Sequence, residues 1–323
     1  MSLAFVFSGG MAIEPNGIEL YEKYPVMRKW YQQVEELTGV TQDELLTENF
    51  LEILRAEGSS APKRCRRVAA VRRVALCLGV VDVLDELGVR PDAVGGYSLG
   101  CMVAACVAGS VSRADLLALL LHSTSQPLTP EGEPDRGVAI AVLPADADLE
   151  WICGEQRPNV FLAADLGLLN DGKSRLVMLS GYLTELEQVT AEVTEKKLGF
   201  MKPTGALGGN HNPRQQFLQD LVKPFVDAMN FADPAIPFAS SLERTMLKTA
   251  ADVHDEFLSN FIKPVHQHRM SDSLVEHGVE FGLALGADTP NTSIKYPFPS
   301  VQVITPADID LAMGALYDYG MVP

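Results

Sequence analysis

Short apolar runs alternate with amphipathic segments along most of the chain. Residues 3–7 and 93–96 have the length and composition of buried strands. Apolar positions recur at helical spacing over 17–39, 41–54, 67–87, 99–108 and 112–122, which predicts a helix in each segment. Strands that alternate with helices are typical of a parallel sheet covered by helices. The pattern therefore favours an α/β fold.

A proline-rich acidic segment at 126–135 interrupts this pattern and is expected to be a surface linker. The next segments predict, in order, a strand, a helix, two strands, a helix and a strand, at 138–143, 147–155, 160–164, 175–180, 183–197 and 201–207. This is the order of a ferredoxin-like unit, whose first and last strands are neighbours. We therefore predict a small ferredoxin-like α+β domain at 135–201. It is inserted into a hydrolase-like α/β domain with a parallel sheet, at 1–134 and 202–323, with the active site in the cleft between them.

Composition and charge narrow the range of functions. The net charge of −16 is unfavourable for binding nucleic acid. No apolar stretch approaches the roughly 18–20 residues of a membrane span, and the first residues lack the basic start of a signal peptide. The five cysteines form no C-x-x-C pair, so neither a disulfide framework nor a metal site is expected. We expect a cytoplasmic monomer that does not act at a membrane.

The segment Gly96-Tyr97-Ser98-Leu99-Gly100 fits the pattern G-x-S-x-G between a strand and a helix of small residues. Such a tight turn exposes the serine hydroxyl at the helix N-terminus, where side chains at the flanking glycines would clash. The helix dipole and the free N–H of Leu99 favour an oxyanion there. The pattern indicates a nucleophilic serine; the alternative is an ordinary glycine-rich turn.

Several segments together resemble one family along nearly the whole chain. GVRPDAVGGYSLG followed by AACVAGSVSRADLLALL is similar to the malonyl-CoA:acyl-carrier-protein acyltransferases and to the acyltransferase domains of polyketide synthases. FVFSGG, GIELYEKYPV, KPTGALGGNHNP, FIKPVHQHRM and EFGLALG resemble further segments of that family, in the same order.

The resemblance implies a Ser–His dyad. Ser98 is the nucleophile and His211 the general base, which accepts the proton of an otherwise unreactive hydroxyl. Gly10 and Leu99 donate oxyanion-hole N–H groups, and Asn260, where the family has glutamine, offers its main-chain carbonyl to His211. A surface histidine in a polar loop remains the alternative for His211. The resemblance implies no bound cofactor. Substrates are carried on the phosphopantetheine of coenzyme A or of acyl-carrier proteins, and the partners are such carriers or the carrier domains of a polyketide synthase.

One departure from the family concerns the charge of the substrate. An arginine that binds the free carboxylate of malonyl groups in the family is replaced here by Ser123, and no Lys or Arg lies between Arg113 and Arg136. Because a buried carboxylate without a cationic partner is costly, we expect an acyl group without a carboxylate.

A second departure concerns the acyl pocket. Tyr97 replaces the histidine of the family's turn, and two glycines replace larger side chains shortly before His211. We expect these glycines to leave room for a longer acyl chain. The predicted pocket residues are Tyr97, Ser123, Gly208, Gly209 and Asn210.

A basic run within this acidic chain has three interpretations. It is the solvated start of a helix, or a docking site for an acidic carrier protein or its phosphate, or its last two arginines reach into the altered pocket. Its basic residues are Lys63, Arg64, Arg66, Arg67, Arg72 and Arg73.

These observations favour a serine acyltransferase that passes an uncarboxylated acyl group between carriers in polyketide-type secondary metabolism, such as antibiotic biosynthesis. The same dyad suits an editing hydrolase, a thioesterase that clears stalled carriers. A binding subunit without activity is disfavoured by the intact serine and histidine. A patatin-like lipase, despite Asp171-Gly172, is disfavoured because its glycine loop lies closer to its serine.

Overall fold

The computed structural model describes residues 1–10, 17–46, 63–286 and 294–321. The first part supplies two central strands and the helices around them. Its elements are β1 (Ser2–Phe7), α1 (Ile18–Lys23), α2 (Pro25–Thr38), α3 (Gln42–Leu46), α4 (Lys63–Glu86), β2 (Ala93–Gly96), α5 (Leu99–Val107) and α6 (Arg113–Ser125).

The middle and last parts supply a second sheet and the remaining strands. The middle elements are β3 (Arg136–Pro144), α7 (Leu149–Cys153), β4 (Val160–Leu168), β5 (Ser174–Tyr182), α8 (Leu183–Glu195) and β6 (Phe200–Leu207). The last part, after a 3₁₀ turn at Pro213–Gln215, comprises α9 (Gln216–Asp227), β7 (Phe238–Ala239), β8 (Met246–Leu247), α10 (Ala250–Ile262), β9 (Val265–His266), α11 (Gln267–Glu276), β10 (Val279–Leu285), β11 (Ser300–Val303) and α12 (Pro306–Asp318).

The larger sheet has the strand order β11-β10-β1-β2-β7-β8. Its pairings are parallel, except that β8 runs antiparallel to β7. Because parallel strands end at the same edge, β1 and β2 bring the loops that follow Phe7 and Gly96 together. This edge carries Ser98.

The smaller sheet has the order β6-β3-β5-β4-β9. Its first four strands pair antiparallel in the order predicted for the ferredoxin-like unit. The fifth strand, β9, comes from the C-terminal part and pairs parallel with β4 through Ala164–Val265 and Asp165–His266. Strand β6 runs through the predicted boundary at 201/202, so we place the end of the unit after Leu207.

Helix α4 is buried over most of its length, as its largely apolar sequence predicts. It packs against α2, and the indole of Trp30 donates a hydrogen bond to the carbonyl of Ala75. Within the residues described, no helix is long and apolar enough to cross a membrane.

The prediction of one helix over 17–39 was wrong. Two helices form there, separated by Tyr24, whose backbone is extended. The reason is Pro25, because a proline disfavours helical geometry in the residue before it. The helix predicted at 41–54 is described only as Gln42–Leu46, and the rest of it lies outside the described residues.

Candidate active site

Ser98 lies in a strained turn between β2 and α5. Its φ of 56° and ψ of −126° are uncommon for a residue with a side chain. Glycine is needed on both sides. A Cβ at Gly96 would collide with the carbonyl of Gly100, and a Cβ at Gly100 with the carbonyl of Phe7. The close packing of these backbones presents the Ser98 hydroxyl at the start of the helix.

His211 reaches this hydroxyl from the loop after β6. Its Nε2 lies 2.8 Å from Oγ of Ser98. The His211 backbone also has a positive φ, 64°, and its N–H donates to the carbonyl of Phe261 at 2.9 Å. The structure therefore brings together the serine and histidine that the sequence singled out, although 113 positions separate them in the chain.

Burial sets the proton affinity of this histidine. Burial lowers the pKa of His211 to about 4, and the main-chain carbonyl of Asn260 acts in the opposite direction. The imidazole is neutral at pH 7 and can accept the serine proton.

The two predicted oxyanion-hole donors lie on adjacent segments. Leu99 is the first residue of α5, so its N–H has no acceptor within the helix. Gly10 follows β1, in a loop that lies against the nucleophile, since a Cβ at Gly9 would lie 2.6 Å from Cβ of Ser98. The same loop is held by Arg73, whose Nη2 donates a hydrogen bond to the carbonyl of Gly9 at 3.2 Å.

The predicted enlargement of the pocket by glycines was wrong. A Cβ at Gly208 would lie 2.9 Å from Leu128, and one at Gly209 would lie 2.8 Å from the carbonyl of Gly137. Both glycines have positive φ, 98° and 54°. They are therefore explained by backbone conformation and close packing, and the space beside them is filled.

The other predicted pocket residues have different surroundings. Tyr97 is buried among apolar side chains of both sheets, including Ala164 and Leu166. Ser123 is half-buried on α6 and donates its hydroxyl hydrogen to the carbonyl of Leu120. Asn210 is exposed.

Sequence reasoning missed two buried amides that hold the loop before His211. Asn212 donates to Oγ of Ser180 at 2.9 Å and to the carbonyl of Gly209. Gln215 donates to the carbonyls of Gly208 and Gly209. The polar run NHNPRQQ directly after a strand was the available signal, because buried amides usually hold backbone groups.

The basic run divides into an exposed and a buried part. Lys63 and Arg64 are exposed, and Arg64 pairs with Glu44. Arg66 and Arg67 are half-buried. Arg72 and Arg73 are fully buried, so their prediction as carrier-docking residues was wrong. A cluster of basic residues in the sequence suggests a solvent-exposed surface. It does not reveal that α4 is buried on every side over this stretch.

One group of side chains in the described part of the chain has the composition of a metal site, namely Asp165, His266 and His268. Arg175 already binds both oxygens of Asp165. Burial raises the pKa of Asp165, but contacts with His266 and Arg175 outweigh it and hold the pKa well below its usual range. The group is thus an ion-pair cluster that joins β4 to the segment containing β9.

The sequence comparison gives the family that the motifs resemble. The malonyl CoA-acyl carrier protein transacylase of Bacillus subtilis (strain 168) is 22% identical over 324 residues, which are 97% of this chain and 97% of the relative. No family model matches the chain. The predicted resemblance is confirmed.

Solved structures show the same fold. The malonyl transacylase of a type II polyketide synthase, solved in complex with its acyl-carrier protein, superposes with a TM-score of 0.79 at 16% identity, covering 98% of this chain and 100% of that one. The acyltransferase domain from the second module of the salinomycin polyketide synthase gives 0.77 at 22% identity, covering 99% and 73%. The predicted fold class is confirmed.

Proposed function

We propose that this chain, a relative of the malonyl-CoA:acyl-carrier-protein transacylases and of polyketide synthase acyltransferases, is a serine acyltransferase. It moves an uncarboxylated acyl group from a coenzyme A or carrier-protein thioester to another acyl-carrier protein, in polyketide-type secondary metabolism. The observation that carries this proposal is the 2.8 Å contact between Oγ of Ser98 and Nε2 of His211 in the strained turn.

The chemistry follows from this contact in two steps. Oγ of Ser98 attacks the thioester carbonyl carbon while His211 accepts the hydroxyl proton. The C–S bond breaks, the departing thiolate takes that proton from His211, and an acyl-serine remains. The thiol of the second carrier then gives its proton to His211 and attacks the acyl carbonyl carbon. The bond from that carbon to Oγ of Ser98 breaks, and Oγ takes the proton from His211, which restores Ser98 and the neutral imidazole. The N–H groups of Leu99 and Gly10 are proposed to stabilise the oxyanion in both steps.

The charges around α6 support an uncarboxylated acyl group. Ser123 occupies the position of the family's arginine. Both arginines that flank this stretch already have carboxylate partners, since Arg113 pairs with Asp82 and Arg136 with Glu133. A malonyl carboxylate bound against α6 would therefore have to leave water without a cation from this stretch of the chain.

We expect malonyl thioesters to acylate Ser98 less efficiently than uncharged acyl thioesters of the same length, by roughly 10- to 100-fold in kcat/KM, the value of one charged hydrogen bond. Intact-protein mass spectrometry with a panel of acyl-coenzyme A and acyl-carrier substrates measures this. Ser123→Arg is the matched variant and should recover part of the malonyl reaction. Efficient malonyl loading of the unmodified chain at low substrate concentration would contradict the assignment, and would direct attention to Arg73 beside the glycine loop.

We expect the acyl-enzyme to be long-lived with its cognate acyl group and to be discharged by a carrier protein. Because water is always present, a transferase must keep its intermediate from hydrolysis until a thiol arrives. The half-life of the acyl-serine, measured with and without added carrier, tests this. Rapid hydrolysis of every acyl group, unaffected by carrier, would favour the editing-hydrolase alternative.

An acidic carrier protein is the proposed partner, and the exposed residues Lys63 and Arg64 are the part of the basic run that remains a candidate for contacting it. Carrier protein should accept the acyl group faster than free pantetheine does, and this advantage should shrink as salt rises. The salt series extends the half-life measurement and needs no further variant.

A further inference from the structure

The last turn of α10 contacts both members of the dyad. Nδ2 of Asn260 donates to the carbonyl of Ser98 at 3.0 Å, and the carbonyl of Phe261, the next residue, accepts the N–H of His211 at 2.9 Å. The main-chain carbonyl of Asn260 also acts on the His211 ring. Two consecutive residues thus connect the nucleophile to its base.

The contact with Ser98 acts on a particular peptide unit. The carbonyl of Ser98 and the N–H of Leu99 belong to one planar peptide and point in opposite directions. Holding the carbonyl on one side therefore fixes the direction of the Leu99 N–H on the other. Hydrogen bonds to the carbonyl also polarise the peptide and make its N–H a better donor.

In the part of the chain that the structure describes, the peptide between Ser98 and Leu99 has few other contacts that fix its orientation. Ser98 has a strained backbone. Among the described residues, its carbonyl accepts one other hydrogen bond, from the N–H of Cys101 in the first turn of α5, at 3.1 Å. Asn260 is 95% buried, since only 5% of it is exposed. Its Oδ1 has no hydrogen-bond partner within the described residues. Among those residues, the side chain of Asn260 therefore forms one hydrogen bond, to the carbonyl of Ser98.

We infer that the side chain of Asn260 is a positioning residue for the oxyanion hole, because it fixes the peptide between Ser98 and Leu99 from behind. This inference rests on the proposed acyl-serine chemistry. It differs from the role implied by the family resemblance, which concerns the main-chain carbonyl and is insensitive to the side chain.

Asn260→Ala separates the two roles, because it keeps the main-chain carbonyl and removes only the amide. We expect the rate of Ser98 acylation to fall by roughly 10- to 100-fold, less than the loss of an oxyanion donor itself, with little change in KM. The matched control is Gln219→Ala, which removes a side-chain hydrogen bond of 2.8 Å to the carbonyl of Leu258 on the same helix. This control should acylate at the unmodified rate.

Asn260→Asp gives a signature that a purely structural role would not. The introduced carboxyl has the same shape; it can donate to the Ser98 carbonyl when protonated and repels it when ionised. Burial raises the pKa of such a carboxyl, so acylation by this variant should increase as pH falls from 8 to 5. The unmodified enzyme should stay level over that range, because the pKa of His211 is about 4.

Labelling of Ser98 by a fluorophosphonate is measured in parallel, since it depends on the dyad and the oxyanion hole but not on the acyl group. If the unmodified chain labels but accepts no thioester, the proposed function fails and the Asn260 variants are judged on labelling alone. Unmodified rates of both labelling and acylation in Asn260→Ala, or parallel pH profiles for Asn260→Asp and the unmodified chain, would overturn the inference.

Discussion

Ser98→Ala is expected to abolish acyl-enzyme formation and acyl transfer. Among the described residues, the hydroxyl of Ser98 is the one that forms a hydrogen bond with the His211 ring. The nearby thiol of Cys101 is buried, and burial raises its pKa well above the ordinary value, so it supplies little thiolate. The measurement is intact-protein mass spectrometry after incubation with acyl thioesters, together with a transfer assay.

The control for this substitution is Ser110→Ala, which changes a buried serine just beyond the other end of the same helix. It should keep full activity if the protein remains folded. An acyl adduct of undiminished yield on the Ser98 variant would show that the nucleophile lies elsewhere.

His211→Ala is expected to lower the rate of acylation by roughly 10⁴-fold or more, the usual effect of removing the base from a serine–histidine system. The reason is that the Ser98 hydroxyl loses its proton acceptor, because among the described residues its hydrogen-bond partner is Nε2 of His211, at 2.8 Å. Stopped-flow or quenched-flow acylation measures the effect, with His277→Ala, at an exposed histidine, as the control. A loss of less than tenfold would contradict the role of His211 as the base.

The pKa of His211 determines the expected pH dependence of acylation and of stability. Because burial lowers the pKa of His211 to about 4 from 6.5, the imidazole remains neutral and the acylation rate level until the pH approaches 4. Between pH 6.5 and 4 the unfolded chain binds the proton and the folded chain does not, so His211 reduces the stability of the fold as pH falls through this window. His211→Ala should therefore lose less stability on acidification than the unmodified chain, which thermal denaturation at several pH values measures.

Local patterns predicted the fold well. The strand, turn and helix around Ser98 and the strand order of the ferredoxin-like unit follow from apolar periodicity and from turn residues, which are properties of neighbouring positions. The break at Tyr24 was missed, although Pro25, which follows it, was a local signal for it.

What the sequence did not reveal depends on contacts between distant segments. Gly208 and Gly209 indicated open space by their lack of side chains, yet a glycine equally accommodates a positive φ and close backbone packing, and only the structure distinguishes these reasons. Arg72 and Arg73 belong to a basic run that indicated a surface, but α2 and the larger sheet cover α4 there. For Asn260, the family resemblance indicated the role of the main-chain carbonyl, whereas the contact of its side chain with Ser98 depends on how two distant segments pack in the fold.

The pairing of β9 with β4 has a consequence for protein engineering. A chimaera that exchanges only residues 136–207 with a related enzyme would leave Val265 and His266 without their own partner strand, and would leave His266 and His268 facing a foreign residue in place of Asp165. A graft of the small unit should therefore carry the segment 263–268 with it. These two separate stretches of sequence form one structural unit. A substitution in one stretch is therefore expected to limit which residues are tolerated in the other during evolution.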